Sequence, residues 1–196
     1  MTAKVIDPNP YGKTTLRDVE NFEQRHGLKL PVEYVQYLVD VNGGGLKNCV
    51  FPGDGTPYSD FKINNFLALG EVPDYASLES GFNLVKNYDL SRFARRLRHF
   101  FVFAHCSSGN PLAFDLRDGA IWYYQNDHAE PSWFWSFKRA SRKLANSFGE
   151  LHTVLMSEEA HQQKLSQEPG YEQFQEQLKA LKHQRAEEVA RGDWDQ

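Results

Sequence analysis

The sequence is short of the residues that would announce a familiar class. It has two cysteines in 196 residues, Cys49 and Cys106, far apart and outside any CxxC pair. That spacing excludes a disulfide framework and a zinc ribbon, and it fits a reducing compartment. There is no run of about 18 apolar residues to cross a membrane. The opening Met1-Thr2-Ala3-Lys4-Val5-Ile6-Asp7-Pro8 lacks the apolar stretch of a signal peptide. A cytoplasmic address and no membrane partner are therefore expected. Charge of one sign is also lacking. A formal net charge of -4 supplies neither the basic field that nucleic acid attracts nor a strongly acidic mimic. No internal repeat is present.

What the chain does have is large apolar side chains. Apolar residues make up 40% and aromatic ones 14%, enough for a packed core and too many for general disorder. The charges are unevenly placed. Residues 1–156 hold 17 basic and 17 acidic groups, whereas residues 157–196 hold 5 and 9 and so carry the whole imbalance. A neutral body with an acidic tail implies two segments with separate roles.

Along the chain, residues 1–13 read as an irregular lead-in. Thr15, with Asp18 three residues on, marks a helix start; Leu16, Val19 and Phe22 follow at helical spacing, and Gly27 closes the helix. Pro31 suits the first turn of a second helix whose stripe is Tyr34, Tyr37, Leu38 and Val41, ended by Asn42-Gly43-Gly44-Gly45. Residues 46–64 look like loop, with Pro52, Gly53, Gly55 and Pro57 as turn signals. Phe66 to Leu69 reads as a short strand. Leu78 to Tyr88 reads as a third helix containing Gly81, and Arg92 to Arg98 as a further turn or two.

From residue 100 the pattern turns to strands. Phe100 to Ala104 is aromatic and β-branched, a central strand; Pro111 to Leu116 and Ala120 to Tyr124 form an antiparallel pair around Arg117-Asp118-Gly119. Residues 126–132 read as loop. The run Trp133-Phe134-Trp135-Ser136-Phe137 leads toward a strand ending near Leu144. Ser147 with Glu150 is a capping box before Leu151, Val154 and Leu155. Residues 162–167 are polar and Pro169-Gly170 is a break. A last helix then carries Tyr171, Phe174, Leu178 and Leu181. Such a helix is marginal alone, so its stripe is expected to pack on the domain or to pair with a second copy as a homodimer.

Leu30-Pro31-Val32-Glu33-Tyr34, continuing to Leu38 and Asn42-Gly43-Gly44, resembles the opening signature of the SUKH superfamily. Phe101-Val102-Phe103-Ala104, Gly109-Asn110, Phe114-Asp115 and Gly119-Ala120-Ile121-Trp122 resemble its second signature. Residues 144–151, Leu-Ala-Asn-Ser-Phe-Gly-Glu-Leu, are similar to its terminal helix start. The resemblance covers residues 14–157. It departs from the family at 46–64, at Gly149 and in the tail. It implies an α+β fold, a mixed, mostly antiparallel sheet with helices packed on one side, here with a C-terminal helical extension. It also implies protein binding. The bacterial members are chiefly immunity proteins that neutralise toxins, often nucleases, and eukaryotic relatives include a regulator of cell-wall synthesis. The family offers no catalytic residues and no cofactor to carry over.

The residues themselves offer rival chemistry. His105-Cys106 on a strand end suggests a nucleophile, but neighbours on an extended chain point to opposite faces. His99, His105, His128, His152 and His161 lack the spacing of a zinc site. Arg92, Arg95, Arg96 and Arg98, and Lys138, Arg139, Arg142 and Lys143, form two basic clusters with stacking aromatics near, yet acidic neighbours balance them. The aromatics of 122–137 cannot all face inward. Trp122, Tyr124, Trp133 and Trp135 are therefore the candidate partner-binding residues. The sequence thus reads as a lead-in (1–13), an α+β domain (14–157) and an acidic helical extension (158–196). It is expected to be a non-enzymatic immunity protein that binds a cognate toxin, without metal or cofactor. The alternatives are a regulatory or scaffolding module that binds a host protein, and a small hydrolase using Cys106.

Overall fold

The computed structural model describes residues 4–5, 10–47, 49–52, 61–87, 99–106, 109–124 and 141–167, with positions 172, 173, 176, 177, 179, 180, 183 and 187 beyond. The chain forms two units, Met1–Ser157 and Glu158–Gln196.

The helices of the first unit are α1 (Leu16–His26), α2 (Val32–Asp40), α3 (Leu78–Asn87) and α4 (Phe148–Val154). Its strands are β1 (Lys4–Val5), β2 (Leu46–Lys47), β3 (Cys49–Phe51), β4 (Phe61–Phe66), β5 (Phe100–Cys106), β6 (Pro111–Asp115), β7 (Ile121–Tyr124), β8 (Ser141–Ala145) and β9 (Met156–Ser157). Seven strands form one sheet in the order β8-β7-β6-β5-β4-β3-β9, with β5 at its centre and every described pairing antiparallel. Strands β1 and β2 pair separately. The expected α+β architecture is the one observed.

The sheet curls. Two strands lie between β4 and β7, a span of about 14 Å in a flat sheet, yet Phe61 stacks on Tyr123 at 4.2 Å. The guanidinium of Arg142 on β8 sits 5.4 Å from the Phe51 ring centre on β3. Inside the curl the helices deliver rings to one face. Phe22 of α1 meets Phe101, Tyr34 of α2 meets Phe103 and Phe114, and Phe148 of α4 meets Phe66, Phe103 and Phe114. Phe103 and Phe114 stack at 4.0 Å across the β5–β6 pair.

Local signals explain the helix ends. Thr15 accepts from Asp18 N–H, the Asp18 carboxylate accepts from Thr15 N–H, and Gly27 takes φ +62°. The Asp118-Gly119 turn closes the β6–β7 hairpin with Gly119 at φ +75°. Gly81 belongs inside α3 because a Cβ there would strike the Leu67 side chain and come within 2.7 Å of the Val102 carbonyl.

Several expectations need correction. The stretch 46–64 holds β2, β3 and the start of β4, and the lead-in supplies β1. The strand assigned to 66–69 ends at Phe66; Leu67 N–H still donates to the Phe103 carbonyl at 2.8 Å, and Ala68 then bridges Ser77. Leu16 is 54% exposed because it faces away from the core. Pro31 stands one position ahead of its helix as the N-cap. At Ser147 the capping box is half formed. Ser147 accepts from Glu150 N–H, but the Glu150 carboxylate accepts from Asn146 N–H instead.

In the second unit, α5 (Glu158–Ser166) takes in most of the polar stretch 162–167. The described positions from Glu172 to Glu187 are helical and exposed, with Lys179 paired to Glu176 at 2.9 Å and His183 near Glu187 at 3.2 Å. The stripe of Tyr171, Phe174, Leu178 and Leu181 lies outside the described residues, as do the turn at Arg92–Arg98 and the run 133–137.

Candidate protein-interaction face

The motif residues of α2 and its cap are consumed by the fold. The buried Tyr34 hydroxyl lies 3.2 Å from the Leu67 carbonyl and 3.4 Å from that of Phe103, tying α2 to two segments of the sheet region. Tyr37 donates to the Gly43 carbonyl at 2.8 Å. Burial holds both phenols protonated, pushing them well above the ordinary tyrosine range. Asn42, 0% exposed at φ +44°, makes three bonds of 2.9 Å: its amide donates to the Gly12 and Leu69 carbonyls and its oxygen accepts from Leu69 N–H. Gly43 follows because a Cβ would fall 2.7 Å from that of Ala68.

The strand motif is structural too. Asn110 is buried and donates to the Tyr123 hydroxyl at 2.8 Å. Asp115, 3% exposed, accepts from Arg117 through both backbone and side chain, and the Arg117 side-chain bond holds its carboxyl below the usual range. Gly149 also has a reason. Its N–H donates to the Glu33 carboxylate at 2.8 Å, and a Cβ would crowd that group at 2.9 Å.

His105 and Cys106 fall on opposite faces of β5. A register shift between Val102 and Ala104 turns Ala104 inward against Leu112, so His105 faces out and Cys106 in. The Cys106 thiol is completely buried, and burial pushes its pKa far up. His105 is held below the ordinary histidine range, also by burial. Among the described residues no three His, Cys, Asp or Glu side chains gather as metal ligands.

The outer face of the sheet is different. Cross-strand register places Val102, Ala113, Trp122 and Lys143 in one row, and Asn65, His105 and Pro111 in the next. Phe100 meets Trp122 edge to face at 6.1 Å. Of the four candidate partner residues, Trp122 and Tyr124 lie half-buried on this face, one strand residue apart. Trp133 and Trp135 lie outside the described residues. In the basic clusters, Lys143 is exposed beside Trp122 and Arg142 turns to Phe51; the other members lie outside the described residues. Sequence reading missed Asn65 and Phe100 on this face. The alternation Phe61-Lys62-Ile63-Asn64 was the signal that a strand, not a loop, carries Asn65.

A curled antiparallel sheet with helices on one face, held by a buried Tyr, Asn and Asp hydrogen-bond set, defines an α+β domain whose motif residues build the scaffold. Residues 13–153 match the model of the SMI1/KNR4 family (SUKH-1), and the chain belongs to that family, which includes toxin immunity proteins. No curated protein matches it. No described helix is long and apolar enough to cross a membrane.

Proposed function

We propose that this chain is a cytoplasmic immunity protein that binds a cognate toxin stoichiometrically and neutralises it without turnover, the toxin being of nuclease type. The observation that carries the reading is the use made of the family's shared residues. Tyr34, Asn42 and Asp115 are occupied in holding the backbone, and Asn110 in holding the Tyr123 hydroxyl. Function then belongs to the surface, where a partner can be changed without disturbing the fold. Family membership supports the same reading. The burial of Cys106 supports non-enzymatic action, since a nucleophile must be reached and ionised. The proposal includes a homodimer formed through the C-terminal helix.

The test is co-expression with the product of the adjacent toxin gene. Rescue of growth is expected, with a one-to-one complex of about nanomolar Kd, equivalent to roughly -12 kcal/mol. Cys106→Ala is expected to protect as well as the wild type, and a chain cut after Ser157 to change its oligomeric state, read by light scattering. Loss of protection in a folded Cys106→Ala protein that still binds the toxin overturns the non-enzymatic reading. A chain that protects against no toxin and recovers only a host housekeeping protein answers to the scaffolding alternative.

A further inference from the structure

One flank of α1 borders an open groove of about 710 Å³, a size within the range of ligand sites. Asp18, Asn21, Gln24 and Arg25 line it from the helix. Tyr11, Lys13, Leu69 and Glu71 line it from two loops, one before α1 and one after β4. The groove is accessible, since Asn21, Gln24, Lys13 and Glu71 are all exposed.

The fold holds this groove in shape. The buried Asn42 amide donates to the Gly12 carbonyl on the first loop and to the Leu69 carbonyl on the second, at 2.9 Å each, so one side chain fixes both. The buried Thr14 hydroxyl adds a longer bond of 3.5 Å to the Leu69 carbonyl. At the rim, the Tyr11 side chain is hydrogen-bonded to that of Tyr75, which stands 69% exposed. A groove fixed in advance loses little freedom when it is filled. Tyrosine is also among the residues that anchor binding hot spots.

The chemistry of the lining narrows the occupant. Its charges, Lys13 and Arg25 against Asp18 and Glu71, cancel, so it selects neither a polyanion nor a strongly basic strand. Two of them are already engaged: Arg25 pairs with Glu79 at 2.5 Å, and Asp18 accepts from Thr15 N–H at 2.9 Å. The side-chain amides of Asn21 and Gln24 have no hydrogen-bond partner among the described residues. Each offers donors and an acceptor, as a peptide group does. From Asp18 to Arg25 the helix rises about 10 Å, the reach of roughly three residues of extended chain.

We infer that this groove receives an extended, uncharged segment of a protein partner, whose main chain bonds to the Asn21 and Gln24 amides while one of its side chains packs on Tyr75. This inference rests on the protein-binding reading above and gives it a place and a chemistry.

The experiment selects linear dodecapeptides from a random displayed library on the full immobilised chain, then measures their affinity by titration calorimetry. The expected result is enrichment of peptides poor in charge. Their affinity should fall at least tenfold on Asn21→Trp, which fills the groove, and on Tyr75→Ala. Glu20→Trp, exposed on a flank of α1 away from the groove, should leave it unchanged. Thermal melts check that each variant is folded, and Gln24→Trp repeats the test one turn along the helix. Enrichment of no peptide, enrichment of strongly charged ones, or equal loss with Glu20→Trp overturns the inference. The toxin complex separates the two proposals. Toxin bound equally by wild type, Asn21→Trp and Gln24→Trp overturns the groove and leaves the immunity reading standing. Groove-dependent peptides on a chain that recognises no toxin do the reverse.

Discussion

The two faces of the same sheet are built by opposite rules. On the inner face every polar group found is answered: Tyr34, Tyr37 and Asn42 reach backbone carbonyls, and Asn110 reaches Tyr123. On the outer face Trp122 Nε1 and Asn65 Nδ2 have no acceptor among the described residues. The inner face is a finished core, where rings interlock at organic-crystal density. On the outer face two buried donors are left without an acceptor among the described residues. If that contrast is real, substitutions of the same kind must cost differently on the two sides.

The largest effect belongs to Phe148. Its ring meets Tyr34, Tyr37, Phe66, Phe103 and Phe114, and it is 4% exposed. Phe148→Ala leaves a cavity among groups that cannot collapse into it, and is expected to cost about 3–5 kcal/mol in urea denaturation. A loss below about 1 kcal/mol would mean that α4 does not close the core.

Asn42→Ala comes next, at about 3 kcal/mol. The substitution strands the Leu69 N–H and the Gly12 carbonyl, leaves the Leu69 carbonyl only a long bond from the Thr14 hydroxyl, and puts a residue that resists positive φ at +44°. Asn42→Gly separates the two causes. It restores the backbone freedom but not the bonds, so it should recover only a minor part of the loss. Full recovery would show that conformation, not hydrogen bonding, makes asparagine necessary there.

How much of this was visible in the sequence follows from the same contrast. Signals confined to a few neighbouring residues were legible: the Thr15–Asp18 box, the Gly27 cap, the Tyr34-Tyr37-Leu38 stripe and the Asp118-Gly119 hairpin. Each is decided by local geometry. Strands β2, β3 and the start of β4 are hidden in the sequence, because Pro52, Gly53 and Pro57 dominate that stretch and pairing with distant β5 and β9 overrides them. Glycines 81 and 149 looked like defects, since the atoms that exclude a Cβ come from Val102 and from Glu33, far away in sequence. For the outer face, aromatic density names Trp122 and Tyr124 as candidates, but nothing local says that Asn65 shares their face, because strand register alone brings β4 and β7 together there.

Each face also carries a histidine, which gives a finer comparison. His152 packs against the Phe148 ring at 4.8 Å on the inner side, and His105 lies on the outer face. Burial lowers the pKa of both, with Glu33 pulling His152 back up. In the unfolded chain both titrate near the ordinary value of about 6.5. As pH falls through that value, the unfolded state takes up protons that the folded state refuses, so stability falls with pH. The melting temperature is expected to drop between pH 7 and pH 5. His105→Gln and His152→Gln should each flatten the drop, measured by thermal melts at both pH values. A profile unchanged in both variants would place the acid sensitivity elsewhere.

The smallest expected effect is the sharpest test, because it uses one replacement residue on both faces. Tyr34→Phe removes a single hydroxyl from the inner face and leaves the ring. It breaks a buried bond shared between the Leu67 and Phe103 carbonyls, and should cost about 1–2 kcal/mol. Trp122→Phe also removes a donor, but one that has no acceptor to lose. The smaller ring forfeits some packing against Phe100, while the penalty of an unpaired buried N–H disappears. These contributions oppose each other and are similar in size, so the change in stability is expected to stay within about 0.5 kcal/mol. Parallel urea titrations of the two variants measure the difference directly. If Trp122→Phe costs as much as Tyr34→Phe, the indole has an acceptor in the free protein. The outer face is then as finished as the inner one.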